Sequence, residues 1–412
     1  MTTVEQRLGR AGLAVVLLAA LLPMTDAFIV NVALPAIAGD LGASGAELEL
    51  VVAGYGLAFT VFLVLGGRLG DAWGRRRVLV AGLVGFTVAS LLCAVAGSGG
   101  WLVAARVLQG AAGALIPPQV LGTIQAAESP ERRPRAMSFY AAAAGFAAIL
   151  GLVLGGVLVQ ADLWGTSWRL VFLVNLPLGL VAVVLAVVLV PDTRSPRPMG
   201  VDVRGTVLLA LVIVLLLVGL NRGPVLGWPW WVVVVLALVP VAVVALWRTE
   251  QRVVARGRVP LLPPSVLAAP KVRRGLLVVA PFLAAWAGYL FALPLTVQNG
   301  FGLAPAVAGL AVVPMSAAFL VGSFAVPRLR VKRGDGVLAA GALVQAAGVV
   351  WLLGVLVTGG AVWWVVPGLV LVGLGQALVV GSSQISVLGA VPGEFAGAGG
   401  GVLVTTQQGA MA

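Results

Sequence analysis

Few residues in this chain have side chains suited to chemistry, and two of those that do sit in long apolar runs. Asp26 lies in Thr25-Asp26-Ala27-Phe28-Ile29-Val30-Asn31-Val32-Ala33-Leu34-Pro35. An ionisable side chain at the centre of a membrane helix costs about 2.5–3.5 kcal/mol on insertion scales, so it is kept for function. Its candidate roles are proton carrier or cation contact, with a paired structural acid as the alternative. Arg106 opens Arg106-Val107-Leu108-Gln109-Gly110, inside another apolar run. At 1.5 Å per helical residue, Asp26 lies roughly 12–13 Å and Arg106 roughly 7–8 Å from the same membrane face, close enough to meet on neighbouring helices. Such an ion pair favours the charged carboxylate, and parting it lets the acid accept a proton. The alternative for Arg106 is snorkelling to the interface.

A second group lies in Gly67-Arg68-Leu69-Gly70-Asp71-Ala72-Trp73-Gly74-Arg75-Arg76-Arg77. Gly67, Gly70 and Gly74 allow close backbone approach, and Asp71 can cap the next helix or pair with a basic neighbour. A latch built from Gly67, Asp71, Gly74, Arg75 and Arg76 can hold one conformation and release in another. Read blandly, the same run is a basic loop. Asn31, Gln109 and Gln298 are polar residues in or at the ends of apolar runs and are candidates for a substrate cavity. Gln298 reads equally as an interface residue.

Other chemistry is excluded or unsupported. The chain has no histidine and one cysteine, Cys93, which removes histidine-based zinc sites, Ser-His-Asp catalysis and disulfides. No metal or other cofactor is expected. No G-x-x-x-x-G-K-[ST] loop is present, so nucleotide drive is unsupported. A membrane-embedded transferase would need a polar catalytic cluster at a helix end, and none stands out beyond Asp71 among its arginines.

The elements that must position these residues are membrane helices. Of 412 residues, 61% are hydrophobic and 10% charged, too little charge to cover a soluble protein of this size. Twelve apolar blocks of membrane-spanning length are read at 11–34, 47–66, 78–97, 101–124, 136–159, 169–190, 204–221, 229–247, 275–297, 304–326, 336–357 and 361–383. A thirteenth begins near Gly393. The net charge of +12 does not mark a nucleic-acid binder, because 23 of the 26 basic residues fall in segments on one side of the blocks. That asymmetry predicts a cytoplasmic N-terminus in a multi-pass protein of the cell membrane. Arg7 and Arg10 before the first block resemble a signal peptide, but the run is too long and too polar for one.

The stretch from Arg248 to Arg274 reads as a linker between two lobes, or as a basic juxtamembrane loop attracting anionic lipid. A weak repeat supports two lobes: Gly42 to Arg68 and Gly302 to Arg328 each span 26 residues, each pair flanking an apolar block.

The 67–77 segment resembles the G-x-L-x-D-x-x-G-R-R/K signature of the major facilitator superfamily and matches it throughout. The Asp26 stretch resembles the L-D-x-T-I-V-N-V-A-L-P pattern of the family's fourteen-helix drug:proton antiporters, with Thr25 and Phe28 departing. Arg106-x-x-Gln109-Gly110 resembles the family's R-x-x-Q-G. Gly145, Gly151, Gly155 and Gly156 resemble the glycine-rich fifth helix of its exporters, with Leu152 where proline is usual; plain glycine packing is the alternative. Trp168-Arg169-Leu170-Val171-Phe172-Leu173-Val174-Asn175-Leu176-Pro177 is also family-like.

The resemblance implies an all-α polytopic fold: a six-helix lobe over 1–190, two additional central helices over 191–250, and a second lobe over 251–412. That second lobe is expected to be incomplete, with four helices and the start of a fifth, the chain stopping in helix 13. The implied function is proton-coupled export, by alternating access, of drugs or similar small molecules, apolar or cationic. Protons and membrane lipid are the further partners, and a monomer is expected. Proton-linked uptake and a truncated, non-transporting membrane protein stay open beside it. One proton crossing 100 mV releases about 2.3 kcal/mol, enough for a roughly fifty-fold substrate gradient.

Overall fold

A computed structural model describes residues 8–194, 203–257, 269–301 and 312–391, with the isolated positions 403, 406 and 407. The expected helix 13 therefore falls almost wholly outside the described residues, as does Gly302 of the repeat. The described chain is helices and short connections. The first six spans are α1 (Arg10–Leu41), α2 (Gly45–Trp73), α3 (Arg75–Ala94), α4 with α5 (Gly99–Gly113, Ile116–Ala127), α6 (Arg133–Ala161), and α7 with α8 (Leu170–Leu173, Asn175–Leu189). After them come α9 (Val203–Leu226), α10 (Trp230–Ala255), α11 (Pro270–Phe301), α12 (Val312–Arg333), α13 (Gly336–Val357) and α14 (Val365–Gly389). Eight stretches among the described residues are long and apolar enough to cross a membrane.

Local chemistry sets several helix limits. Ser44 and Glu47 form a reciprocal capping box that starts α2. The fourth span breaks between α4 and α5 because Pro117 and Pro118 lack the N–H groups a continuous helix needs, and they sit in the first turn of α5 instead. Pro23 and Pro35 are carried inside α1.

Helices α1 to α8 pack into one lobe, with α1 against α6, α2 against α4, and α3 against both α4 and α8. Helices α9 and α10 pair with each other, and α9 leans on α2, where Arg222 meets Glu49 at 3.2 Å. In the second lobe α14 packs on both α12 and α13.

The two lobes meet along α6 and α12. There Phe139 and Phe324 pack edge to face with centroids 5.6 Å apart. At the end of the bundle that carries the basic loops, Leu8 and Met137 of the first lobe share one apolar cluster with Val272, Val387 and Leu388 of the second. The lobes are closed against each other at that end.

Candidate functional site

Asp26 and Arg106 come together in the middle of the first lobe. Both are buried, and Arg106 Nη1 donates directly to Asp26 Oδ2. The other carboxylate oxygen accepts from two amides: Gln109 Nε2 at 3.0 Å and Asn175 Nδ2 at 2.8 Å. Ser90 Oγ receives the same two amides, at 2.7 Å from Gln109 and 3.3 Å from Asn175. Four helices, α1, α3, α4 and α8, thus contribute to one polar cluster closed to solvent.

Arg106 is held from its other sides as well. Its Nε donates to the Val51 carbonyl at 3.1 Å and its Nη1 to Gln109 Oε1 at 2.7 Å. The guanidinium carbon stands 4.1 Å from the centre of the Tyr55 ring, within cation–π range. The Tyr55 hydroxyl donates to the Pro23 carbonyl at 2.8 Å, so α2 is tied to α1 one turn before Asp26. Cys93 closes the cluster, its thiol 3.5 Å from Gln109 Oε1.

The spacing on α4 explains how the cluster is reached. Arg106, Gln109 and Gly110 lie on one face because residues three and four apart are neighbours on a helix. At Gly110 a Cβ would stand 2.3 Å from the Tyr55 carbonyl oxygen, so only glycine lets α2 approach closely enough for Val51 and Tyr55 to touch Arg106.

Helix α6 does the same for α1. A Cβ at Gly151 would lie 2.7 Å from the Thr25 carbonyl, and one at Gly155 would lie 2.7 Å from that of Ile29. These two glycines press on the backbone either side of Asp26. Gly145 instead receives the Phe319 ring of α12, 2.2 Å from where its Cβ would be. Gly156 faces open space and takes no part in either contact.

The 67–77 segment forms a compact hairpin at the basic end. Asp71 Oδ1 accepts from Arg75 Nη2 at 3.1 Å, both residues buried, so the acid pairs one turn onward across the junction of α2 and α3. Gly74, at φ +100°, makes that junction in a backbone region L side chains rarely enter. The Arg75 amide donates to the Thr193 carbonyl at 3.0 Å, and Arg76 Nη1 reaches the Val187 carbonyl at 3.3 Å. The hairpin is thereby fastened to the chain leaving α8. Gly67 is buried within α2.

The cavity candidates separate. Gln109 is fully buried in the Asp26 cluster, and both ends of its amide are committed there. Asn31 is exposed and donates to its own helix at the Ala27 and Phe28 carbonyls. The Gln298 side chain lies outside the described residues. Asn175, Ser90 and Tyr55 were not assigned roles from the sequence. Asn175, a lone amide in the apolar block 169–190, carried a usable signal; a serine and a tyrosine in such blocks do not.

The model for the Major Facilitator Superfamily matches residues 16–412. The chain belongs to that family. It is a membrane transporter and not an enzyme. A Streptomyces coelicolor protein named "Probable actinorhodin transporter" is 39% identical over 97% of this chain and 70% of its own length. The tetracenomycin C resistance and export protein of Streptomyces glaucescens is 33% identical over 93% of this chain and 70% of its own length. The cephamycin export protein of Amycolatopsis lactamdurans is 36% identical over 93% and 79%, respectively. Among solved structures, the human organic anion transporter MFSD10 superposes with a TM-score of 0.71 at 17% identity, over 98% of this chain and 91% of that one. That likeness shows the fold.

Proposed function

We propose that this major facilitator exports drug-like small molecules in exchange for protons, with Asp26 as the proton-carrying group. The observation that carries the reading is the buried Asp26 carboxylate, met by donors from Arg106, Gln109 and Asn175. An ionised carboxylate only accepts hydrogen bonds, whereas a protonated one brings a donor of its own. A proton arriving at Asp26 therefore meets groups that are already donating. Arg106 must be released, or the amides must turn, and both responses move α4 and α8 relative to α1. Protonation is thereby converted into helix displacement, which alternating access requires.

Export rather than uptake is supported by the relatives named for antibiotic export and resistance. The charge asymmetry of the loops supports a cytoplasmic N-terminus. In that orientation the closed basic end faces inward, and the conformation serves as an outward-facing state. Helices α9 and α10, paired beside the first lobe, support placement in the fourteen-helix branch.

The test is proton-driven efflux of a dye panel from vesicles containing the wild-type protein or Asp26→Asn. The variant should insert and fold yet lose the gradient-dependent component. Gradient-driven efflux equal to wild type would remove Asp26 from the mechanism.

A further inference from the structure

The distribution of charge along the spans bears on what is carried. From Gly275 to Pro327, and again from Gly336 to Gly393, the chain contains no Asp, Glu, Lys or Arg. The second lobe's charged residues sit in the basic stretch that ends at Arg274, in the segment from Arg328 to Asp335 and at Glu394. In the first lobe Asp40 pairs with Arg169, and Glu49 reaches Arg222 of α9, both near helix ends away from the basic loops. Arg68, Asp71 and Arg75 are buried at the basic end, which leaves Asp26 and Arg106 as the charges midway along the spans, and they neutralise each other.

The sum of that pair has only two useful values. With Asp26 ionised it is zero; with Asp26 protonated it is +1, from Arg106 alone. It is never negative. A cationic substrate therefore meets a neutral site or a repelling one, with no carboxylate left to compensate its desolvation. An anion would be drawn to the protonated state, so it would travel with the proton rather than against it. Only an uncharged molecule suits exchange, because it binds the neutral, deprotonated state without an electrostatic penalty. The unmet buried polar atoms of the described spans away from the basic end point the same way: Thr25 Oγ1, Tyr289 Oη, Gln345 Oε1 and Ser382 Oγ belong to hydroxyls and an amide.

Building on the proton-coupled reading above, we infer that the exported substrate is an uncharged, hydrogen-bonding organic molecule, and that its exchange for one proton moves one net positive charge across the membrane. The single carboxylate midway along the spans, Asp26, sets the proton count. This narrows the apolar-or-cationic expectation to its uncharged half and makes transport respond to voltage as well as to pH.

The protein reconstituted in liposomes tests this with three loaded probes: uncharged Nile red, the permanent cation ethidium, and anionic carboxyfluorescein. Efflux is read as the excess over liposomes containing Asp26→Asn. A potassium diffusion potential set by valinomycin, negative inside and without a pH gradient, should drive Nile red out. Ethidium should move more slowly by about tenfold or more. Nile red efflux that ignores the potential would overturn the charge-moving step. Proton-driven ethidium efflux without Nile red efflux, or carboxyfluorescein moving together with protons, would overturn the substrate class while leaving proton coupling intact. If no probe shows a component dependent on Asp26 under either gradient, the proton-coupled export reading itself fails.

Discussion

Asn175 reaches across the first lobe to Asp26, donating from Nδ2 to Oδ1 at 2.8 Å from a position 149 residues later in the chain. It opens α8, and its amide also touches Ser90 on α3. The amide thus joins three helices at the atom where the proton is proposed to bind.

Removing that amide should reduce coupled efflux more than it reduces folding. Asn175→Ala deletes a donor to the ionised carboxylate, and hydrogen bonds to charged groups are worth about 1.5–3 kcal/mol. Gradient-driven dye efflux should therefore fall by about tenfold or more while the protein still inserts. Efflux that falls only in proportion to the amount of folded protein would assign Asn175 to packing alone.

Breaking the ion pair from one side should cost more than removing both charges. Arg106→Ala leaves Asp26 without its countercharge in a site closed to solvent, and loss of one partner of a buried pair costs about 3–5 kcal/mol. Asp26→Asn combined with Arg106→Gln leaves no buried charge and should recover much of the lost thermal stability in detergent while remaining inactive in coupled efflux. A double variant as unstable as Arg106→Ala would mean that packing of the guanidinium on Tyr55, not charge, holds the cluster.

The fifth-span glycines should differ sharply in tolerance. Gly151→Val or Gly155→Val drives a side chain into the carbonyls of Thr25 or Ile29 and should abolish transport by displacing Asp26. Gly156→Ala, beside open space, should leave efflux close to wild type. Equal loss in all three variants would point to general damage of α6.

At the hairpin, Gly74→Ala forces a Cβ into a positive-φ backbone and within 2.9 Å of Asp192 Oδ1. Strain at such a position is typically about 1–3 kcal/mol, so the melting temperature should fall measurably. An unchanged melting temperature would show that the junction relaxes freely.

The sequence revealed what lipid physics enforces and hid what depends on side-chain aim. Span lengths, the basic side of the bundle and the cost of Asp26 and Arg106 all follow from one solvent constraint, and the pair does meet. The placement of Gln109 did not follow. A glutamine in a membrane helix can face a cavity or close a network, and only the positions of Cys93, Ser90 and Asp26 around it decide. Asn31 differs for a nearer reason: its amide bonds its own helix and satisfies itself locally. The fourth span was read as one block, but the prolines at 117 and 118 divide it because hydropathy is blind to a missing N–H.

Helix α6 bears on two parts of the molecule at once. Near its middle it accepts Phe319 from the opposite lobe at Gly145, and farther along it rests on the main chain around Asp26 at Gly151 and Gly155. A rigid rod seated at both places cannot tilt at one without shifting at the other. A displacement begun at Asp26 can therefore cross from one half of the transporter to the other through six to ten residues of one helix, with no chain of charges needed to relay it.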